Sequence, residues 1–455
     1  MTHDLVIRGG TLATAEKTFR ADVGIQGERI SELGTGLQGK RVIDASGKLV
    51  LPGGVDSHCH IEQLSSMGVM TADDFYSATV SAAHGGTTTV IPFCAQHRAD
   101  NLQTVLKDYH ERARAKAVID YGFHLIIANP DEPTLREHLP EAIRSGVRSF
   151  KIFMTYERTR LHDEQILDVM AAARKHGALV MVHAENHGMI SWLAGRMVKQ
   201  GNKLVDCPIL IVHVSTNDGI EAIRQARARG LKVLGETCPQ YLFLTAKDID
   251  IGMQGALFCC SPPPRDEAAQ EACWRGLKDG TLHVYSSDHA PYGLQGKLPK
   301  GDKTTFKEMA NGVPGLELRL PLLFTYGVGA GRISLPEFVN LTATRHAQTY
   351  GIYPRKGTIA VGADADLAIW DPEKSVVVEQ TRDQTGYTPY KGRKLKGWPV
   401  TVLSRGAVIV EDGRLSAERG RGKFLAREAS DALRPLGRDV PEVAQLKAWE
   451  TPLEL

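Results

Sequence analysis

From residue 1 to about 50, apolar and polar residues alternate in short stretches. These are Asp4-Leu5-Val6-Ile7-Arg8, Ala21-Asp22-Val23-Gly24-Ile25 and Arg41-Val42-Ile43-Asp44, broken by Gly9-Gly10 and Gly27-Glu28. Period-two alternation with glycine-bearing breaks predicts a small antiparallel sheet. The pattern returns late, in Asp366-Leu367-Ala368-Ile369-Trp370, Val376-Val377-Val378 and Ala407-Val408-Ile409-Val410-Glu411-Asp412-Gly413. One β-sandwich domain built from both chain ends, residues 1–52 and 349–420, is the expected result.

Between these ends the period changes. Eight apolar runs, at about 49–60, 87–94, 120–128, 148–154, 178–184, 208–214, 231–237 and 281–288, alternate with stretches of helical spacing or helix stops. Ala72 to Gly85, Pro140 to Gly146 and Asp163 to Gly177 are the clearest of these. Eight β-α units predict a (β/α)8 TIM barrel over residues 53–348, in which functional groups gather where the strands end. The charged, irregular segment 421–455 is expected to be a solvated or subunit-contacting tail.

With 24% charged and 42% hydrophobic residues in 455, the chain has the composition of an ordinary globular protein. Its formal charge of +2 and lack of a dense Lys/Arg block give no reason to expect a nucleic acid or an anionic membrane as partner. No charged-then-apolar leader and no bilayer-length apolar stretch is evident, which predicts a cytoplasmic protein acting on a small molecule. The cysteines number seven and lack CxxC spacing, so reduced, mostly buried thiols are expected.

The runs end in a recurrent chemistry. His58 and His60 close the first run, and side-chain alternation puts both imidazoles on one face with Cys59 on the other. Lys151, His183, His213 and Asp288 end runs four, five, six and eight. If the runs are parallel strands, all six residues converge on one rim. Four histidines and an aspartate suit divalent metal, whereas a protonated lysine would repel it. Carboxylation of the Lys151 amine by carbon dioxide would replace that cation with two anionic oxygens able to bridge two metals. Such a pair would acidify a shared water into a nucleophile, and the reaction class is hydrolysis. Imidazole and carboxylate ligands suit zinc and also manganese or cobalt.

Seven motifs occur in order: Gly53-Gly54-Val55-Asp56-Ser57-His58-Cys59-His60, Phe150-Lys151-Ile152-Phe153-Met154-Thr155-Tyr156, His183-Ala184-Glu185-Asn186, His213-Val214-Ser215-Thr216, Gly235-Glu236-Thr237-Cys238-Pro239-Gln240-Tyr241-Leu242, Ser261-Pro262-Pro263-Pro264-Arg265 and Ser287-Asp288-His289. Together they resemble the cyclic amidohydrolases, most closely the hydantoinases and dihydropyrimidinases. The resemblance implies that His58, His60 and Asp288 hold one metal and His183 and His213 the other, bridged by N6-carboxylated Lys151. It also implies that Asp288 shuttles the proton to the leaving nitrogen and that Tyr156 polarises the substrate carbonyl. Ser261 and Asn311 are expected to bind the ring through main-chain groups, and the assembly to be a homotetramer. Arg265 and His289 read as supports, Cys59 and Cys238 as packed thiols, and His84, His97, His124, His187 and His346 as surface or packing residues.

Glu62 stands two residues after His60, where dihydroorotase-like relatives place an arginine for a substrate carboxylate. An acidic group there is expected to repel such an anion, favouring neutral 5-substituted hydantoins or dihydropyrimidines and N-carbamoyl amino acid products. Allantoin and cyclic imides are the alternative rings. Scaffold-type relatives lacking activity have lost metal ligands that this chain keeps. The stretch from Glu62 to Gly68 and the span from Asn186 to Val205, shorter by about a helix, depart from the family pattern.

Overall fold

The computed structural model describes residues 2–185, 188–189, 207–432 and 434. All eight central runs are extended, and each pairs in parallel with the next. A parallel bridge between Cys59 and His289 joins the end of the eighth run to that of the first, so the ring is closed. It is a TIM barrel beside a β-rich unit. No helix among the described residues is long and apolar enough to cross a membrane.

Alternation along the strands sorts the side chains. In Leu179–His183, Val180 and Val182 join the layer between strands and helices, while Leu179 and Met181 join the barrel interior with Val55, Phe93, Leu210, Val212 and Val284. His183 continues the inward series. In Ser149–Phe153 the outward residues are Phe150 and Ile152, which turns Lys151 inward. Cys59 packs, fully buried, in the outer layer, away from its histidine neighbours.

Local chemistry sets the helix ends. Helix Phe75–His84 starts where the Asp74 carboxylate accepts from the N–H groups of Tyr76 and Ser77 at 2.9 Å. Helix Asp163–His176 stops at Gly177, whose φ of +73° suits glycine.

Three runs differ from the sequence expectation. The first is two strands, Leu49–Pro52 in the β unit and Gly54–Asp56 in the barrel. The chain changes sheets at Gly53, where a Cβ would lie 2.1 Å from Thr88 Oγ1. The second and third runs break into Thr87–Val90 with Phe93–Ala95 and Asp120–Tyr121 with His124–Ile126. Pro92 has no N–H to continue the ladder at the first of these breaks.

The β unit packs a four-stranded sheet from residues 2–44 on a seven-stranded sheet drawn from both chain ends, around Leu5, Ile7, Val23, Ile25, Val50, Leu367 and Leu403. Its first sheet is mixed rather than antiparallel. Thr2–Arg8 runs antiparallel to Asp22–Gln26 but parallel to Gln38–Asp44, because the chain makes a hairpin before returning. Buried Lys356 joins this unit to the barrel, its ammonium lying 2.7 Å from both Asp120 and Asp366.

The expectation of a solvated or subunit-contacting tail fails for the first residues after Gly420. Lys423 and Leu425 bond to the backbone of Tyr121, and Arg427 donates to Ser149 Oγ at 2.7 Å. Leu425 is buried with Tyr350 and Ile352 at the foot of the barrel interior. Leu425→Ala is therefore expected to cost about 3 kcal/mol, read as a lower urea midpoint; an unchanged midpoint would return the segment to solvent. The span 186–205, except residues 188 and 189, lies outside the described residues, as does 435–455.

Candidate active site

His58 and His60 leave the first barrel strand with ring centroids 5.6 Å apart, both facing Asp288 at the end of the eighth run. His58 Nε2 lies 3.1 Å from Asp288 Oδ1, and His60 Nε2 lies 3.7 Å from the same oxygen. Across the mouth, His183 Nδ1 and His213 Nε2 face each other at 2.7 Å. The two histidine pairs adjoin, with His58 and His213 centroids 5.7 Å apart. Lys151 is buried, its Nζ 5.2 Å from the Phe93 ring centroid and 5.5 Å from that of Phe153, and it forms no salt bridge among the described residues. All six sequence-predicted ligands line one cavity of about 790 Å³.

Burial and neighbouring charge divide the titrations. Desolvation is the largest single influence on His58 and would lower it, but the Glu236 and Asp288 carboxylates together outweigh it and hold the ring at about 9. Burial takes His183 down to about 4 despite Glu185, and pulls the Lys151 ammonium down to about 8. Burial would raise Asp288, yet His58 and the rings beside it keep its carboxyl well below the usual range.

The donor set fits divalent metal. His58, His60 and Asp288 each offer one ligand atom, all within 4.8 Å of one another. His58 Nε2 and His213 Nδ1 are buried without a hydrogen-bond partner among the described residues. A ring nitrogen so desolvated beside a carboxylate is what an ion would satisfy.

Tyr156, Ser261 and Asn311 line the same cavity. The Tyr156 ring lies 5.0 Å from that of His183, and burial raises its phenol pKa well above the ordinary value. Ser261 Oγ donates to Glu185 Oε1 at 3.0 Å, and Asn311 Oδ1 accepts from Cys259 Sγ at 3.1 Å. Tyr156, His213 and Asp288 adopt positive φ values of 66°, 41° and 48°. Non-glycine residues hold that region at a cost, and here they do so where chemistry-bearing side chains must turn off strand ends.

Glu62 does not act as expected from the sequence. Its carboxylate turns to Lys116, 2.6 Å away, and accepts from the N–H of Phe75 at the start of a helix, so it does not line the cavity. Held there, Glu62 is not placed to repel a substrate carboxylate. Of the histidines expected at the surface or in packing, His84, His124 and His346 are packed: all are buried, and His124 Nε2 and His346 Nδ1 bond to the carbonyl and hydroxyl of Ser57. His289 pairs with buried Asp73 at 3.0 Å, and Arg265 lies 3.5 Å from the Glu185 carbonyl.

Sequence reasoning missed the partners of the candidate ligands. Glu236 Oε1 is 2.5 Å from His58 Nδ1, Gln63 Oε1 is 2.9 Å from His60 Nδ1, Glu185 Oε1 is 3.1 Å from His183 Nε2, and Gln240 donates to Asp288 Oδ2 at 2.9 Å. The available signal was a carboxylate one residue before a run's end, in Gly235-Glu236-Thr237.

Residues 49–409 match the model of the amidohydrolase family. A D-hydantoinase from Ralstonia pickettii is 39% identical, with 93% of this chain and 99% of the relative aligned. A D-hydantoinase from Geobacillus stearothermophilus is also 39% identical, over 94% of this chain and 97% of its own. The crystal structure of dihydropyrimidinase from Brevibacillus agri NCHU1002 superposes with a TM-score of 0.87 at 36% identity, covering 93% of this chain and 99% of that one. Fold, ordered motifs and relatives agree, and the chain belongs to the amidohydrolase family, within its hydantoinase and dihydropyrimidinase group.

Proposed function

We propose that the chain hydrolyses the amide bond of a neutral cyclic substrate, a 5-substituted hydantoin or a dihydropyrimidine, to an N-carbamoyl amino acid. The carrying observation is the convergence of His58, His60, Lys151, His183, His213 and Asp288 in one cavity with Tyr156. His58, His60 and Asp288 would hold one divalent ion, His183 and His213 a second, and N6-carboxylated Lys151 both; zinc suits these ligands, as do manganese and cobalt. When bound, such ions lower the pKa of water to about 7 and so supply a nucleophile at neutral pH.

The chain's own groups do the rest. Once the Lys151 ammonium has given up one proton, carboxylation joins the neutral amine to carbon dioxide and releases a second, replacing a buried cation with an anion. Asp288, with one oxygen fastened by Gln240 and the other toward the histidines, takes the proton of the attacking water and passes it to the leaving nitrogen. Tyr156 keeps its proton and donates to the ring carbonyl as negative charge develops there. Main-chain groups at Ser261 and Asn311 position the ring. The family resemblance supports a homotetramer, which sedimentation velocity reads directly.

The test is ring-opening by protein loaded with zinc or manganese in bicarbonate, on dihydrouracil, both enantiomers of 5-phenylhydantoin, allantoin and succinimide. Turnover of a hydantoin or dihydrouracil ahead of the others is expected. Preference for allantoin or succinimide would replace the substrate, and no turnover on any ring by protein holding two ions would overturn the proposal.

A further inference from the structure

Three of the four histidines have a partner on the nitrogen facing away from the cluster, and these partners differ in charge and burial. His60 is backed by the neutral Gln63 amide and His183 by Glu185, whose side chain keeps 30% of its surface exposed. His58 alone is backed by a carboxylate with no exposure, Glu236. Glu236 Oε2 accepts from Ser286 Oγ at 2.8 Å, and the His213 N–H points at Oε1 from 3.4 Å. One side chain on the seventh run thus reaches the ring of a ligand on the first and the backbone of a ligand on the sixth.

An ionised carboxylate accepts hydrogen bonds and donates none. Beside it a neutral His58 ring, the form that binds an ion, carries its proton on Nδ1 and turns its lone pair out on Nε2. That nitrogen lies 3.1 Å from Asp288 Oδ1 and has no hydrogen-bond partner among the described residues. A full negative charge in a dry environment also makes the ring a stronger donor than a neutral amide can.

We propose that Glu236 is the positioning residue of the metal centre, fixing the His58 tautomer and thereby setting the affinity for the ion that His58, His60 and Asp288 hold. The inference rests on the metal-ligand reading above and adds its determinant of affinity. Glu236→Gln keeps the shape but offers a donor beside the acceptor, so the ring can settle in either tautomer. Ser286→Ala removes the bond to Glu236 Oε2 without touching His58.

The experiment titrates metal-stripped full-length chain with Zn²⁺ against a chromophoric chelator, in bicarbonate, with thermal melts of each apo protein. Wild type is expected to take two ions. Glu236→Gln should bind one of them roughly ten- to hundredfold more weakly and the other nearly as before, with an apo melting temperature close to wild type. Ser286→Ala should bind both as wild type does. Should Glu236→Gln fail to melt cooperatively, Glu236→Asp, which withdraws the carboxylate by one methylene, carries the same expectation. Wild-type affinity for both ions in the Glu236 variant overturns the proposal, as does an equal loss in Ser286→Ala, which would make Glu236 a packing element. A wild-type chain that takes up no ion overturns the metal-ligand reading itself, and this inference with it.

Discussion

Lys151→Ala is expected to lower ring-opening turnover by on the order of a thousandfold or more, the scale of loss when a group that works as part of a unit is removed. Strand pairing places Lys151 beside Ile126 and Met181 in the middle of the barrel wall. Its amine sits over two aromatic rings with no salt-bridging carboxylate among the described residues. As an ammonium it would oppose cation binding by four imidazoles and one carboxylate; as a carbamate it would supply the second anion such a set lacks. Alanine removes that anion, leaving Asp288 as the sole carboxylate among the proposed ligands. Metal content measured by mass spectrometry should fall from two ions toward one, and acetate or propionate should restore part of the activity by occupying the vacated volume. Full turnover with two ions in the alanine variant would defeat the carbamate proposal.

The candidate ligands were legible because strand geometry repeats. His-x-His at the end of an apolar run, or a lone His, Lys or Asp at the ends of others, is visible in one dimension once the runs are taken as parallel. Helix boundaries were legible for a local reason: Asp74, Gly85 and Gly177 act within a few residues of the ends they set. The partners were not legible, because Glu236 and His58 are 178 positions apart and only barrel closure brings them together. Glu62 misled for the same reason. Its place two residues after His60 suggested a cavity-facing side chain, but Lys116 from a helix draws it away. The residues after Gly420 read as polar because Arg421, Lys423 and Arg427 are charged. Leu425 and Phe424 are what meet the barrel, and Arg427 is buried by bonding to barrel groups. The breaks in the second and third runs were hidden by composition, since Ile91-Pro92 and Gly122-Phe123 continue the apolar character while ladder pairing shifts from one short strand to the next.

Tyr156→Phe tests the chemistry apart from the metals. Tyr156 sits at φ +66°, its carbonyl accepting from the N–H groups of Thr159 and Arg160 at 2.9 and 2.7 Å, so the turn is closed by backbone bonds that phenylalanine preserves. The ring also keeps its packing beside His183 and Phe153. Only the hydroxyl is lost. Burial keeps that phenol protonated, so it is a donor, and the charge it meets grows on the ring carbonyl as the tetrahedral state forms. An interaction made in the transition state and not in the ground state lowers kcat and kcat/KM together and leaves KM nearly alone. Turnover should fall by about a hundredfold or more, roughly 3 kcal/mol of barrier, with two ions still bound and the melting temperature unchanged. A variant that loses metal along with rate would make Tyr156 a structural neighbour of His183, and one with wild-type kcat would remove the tyrosine from the reaction.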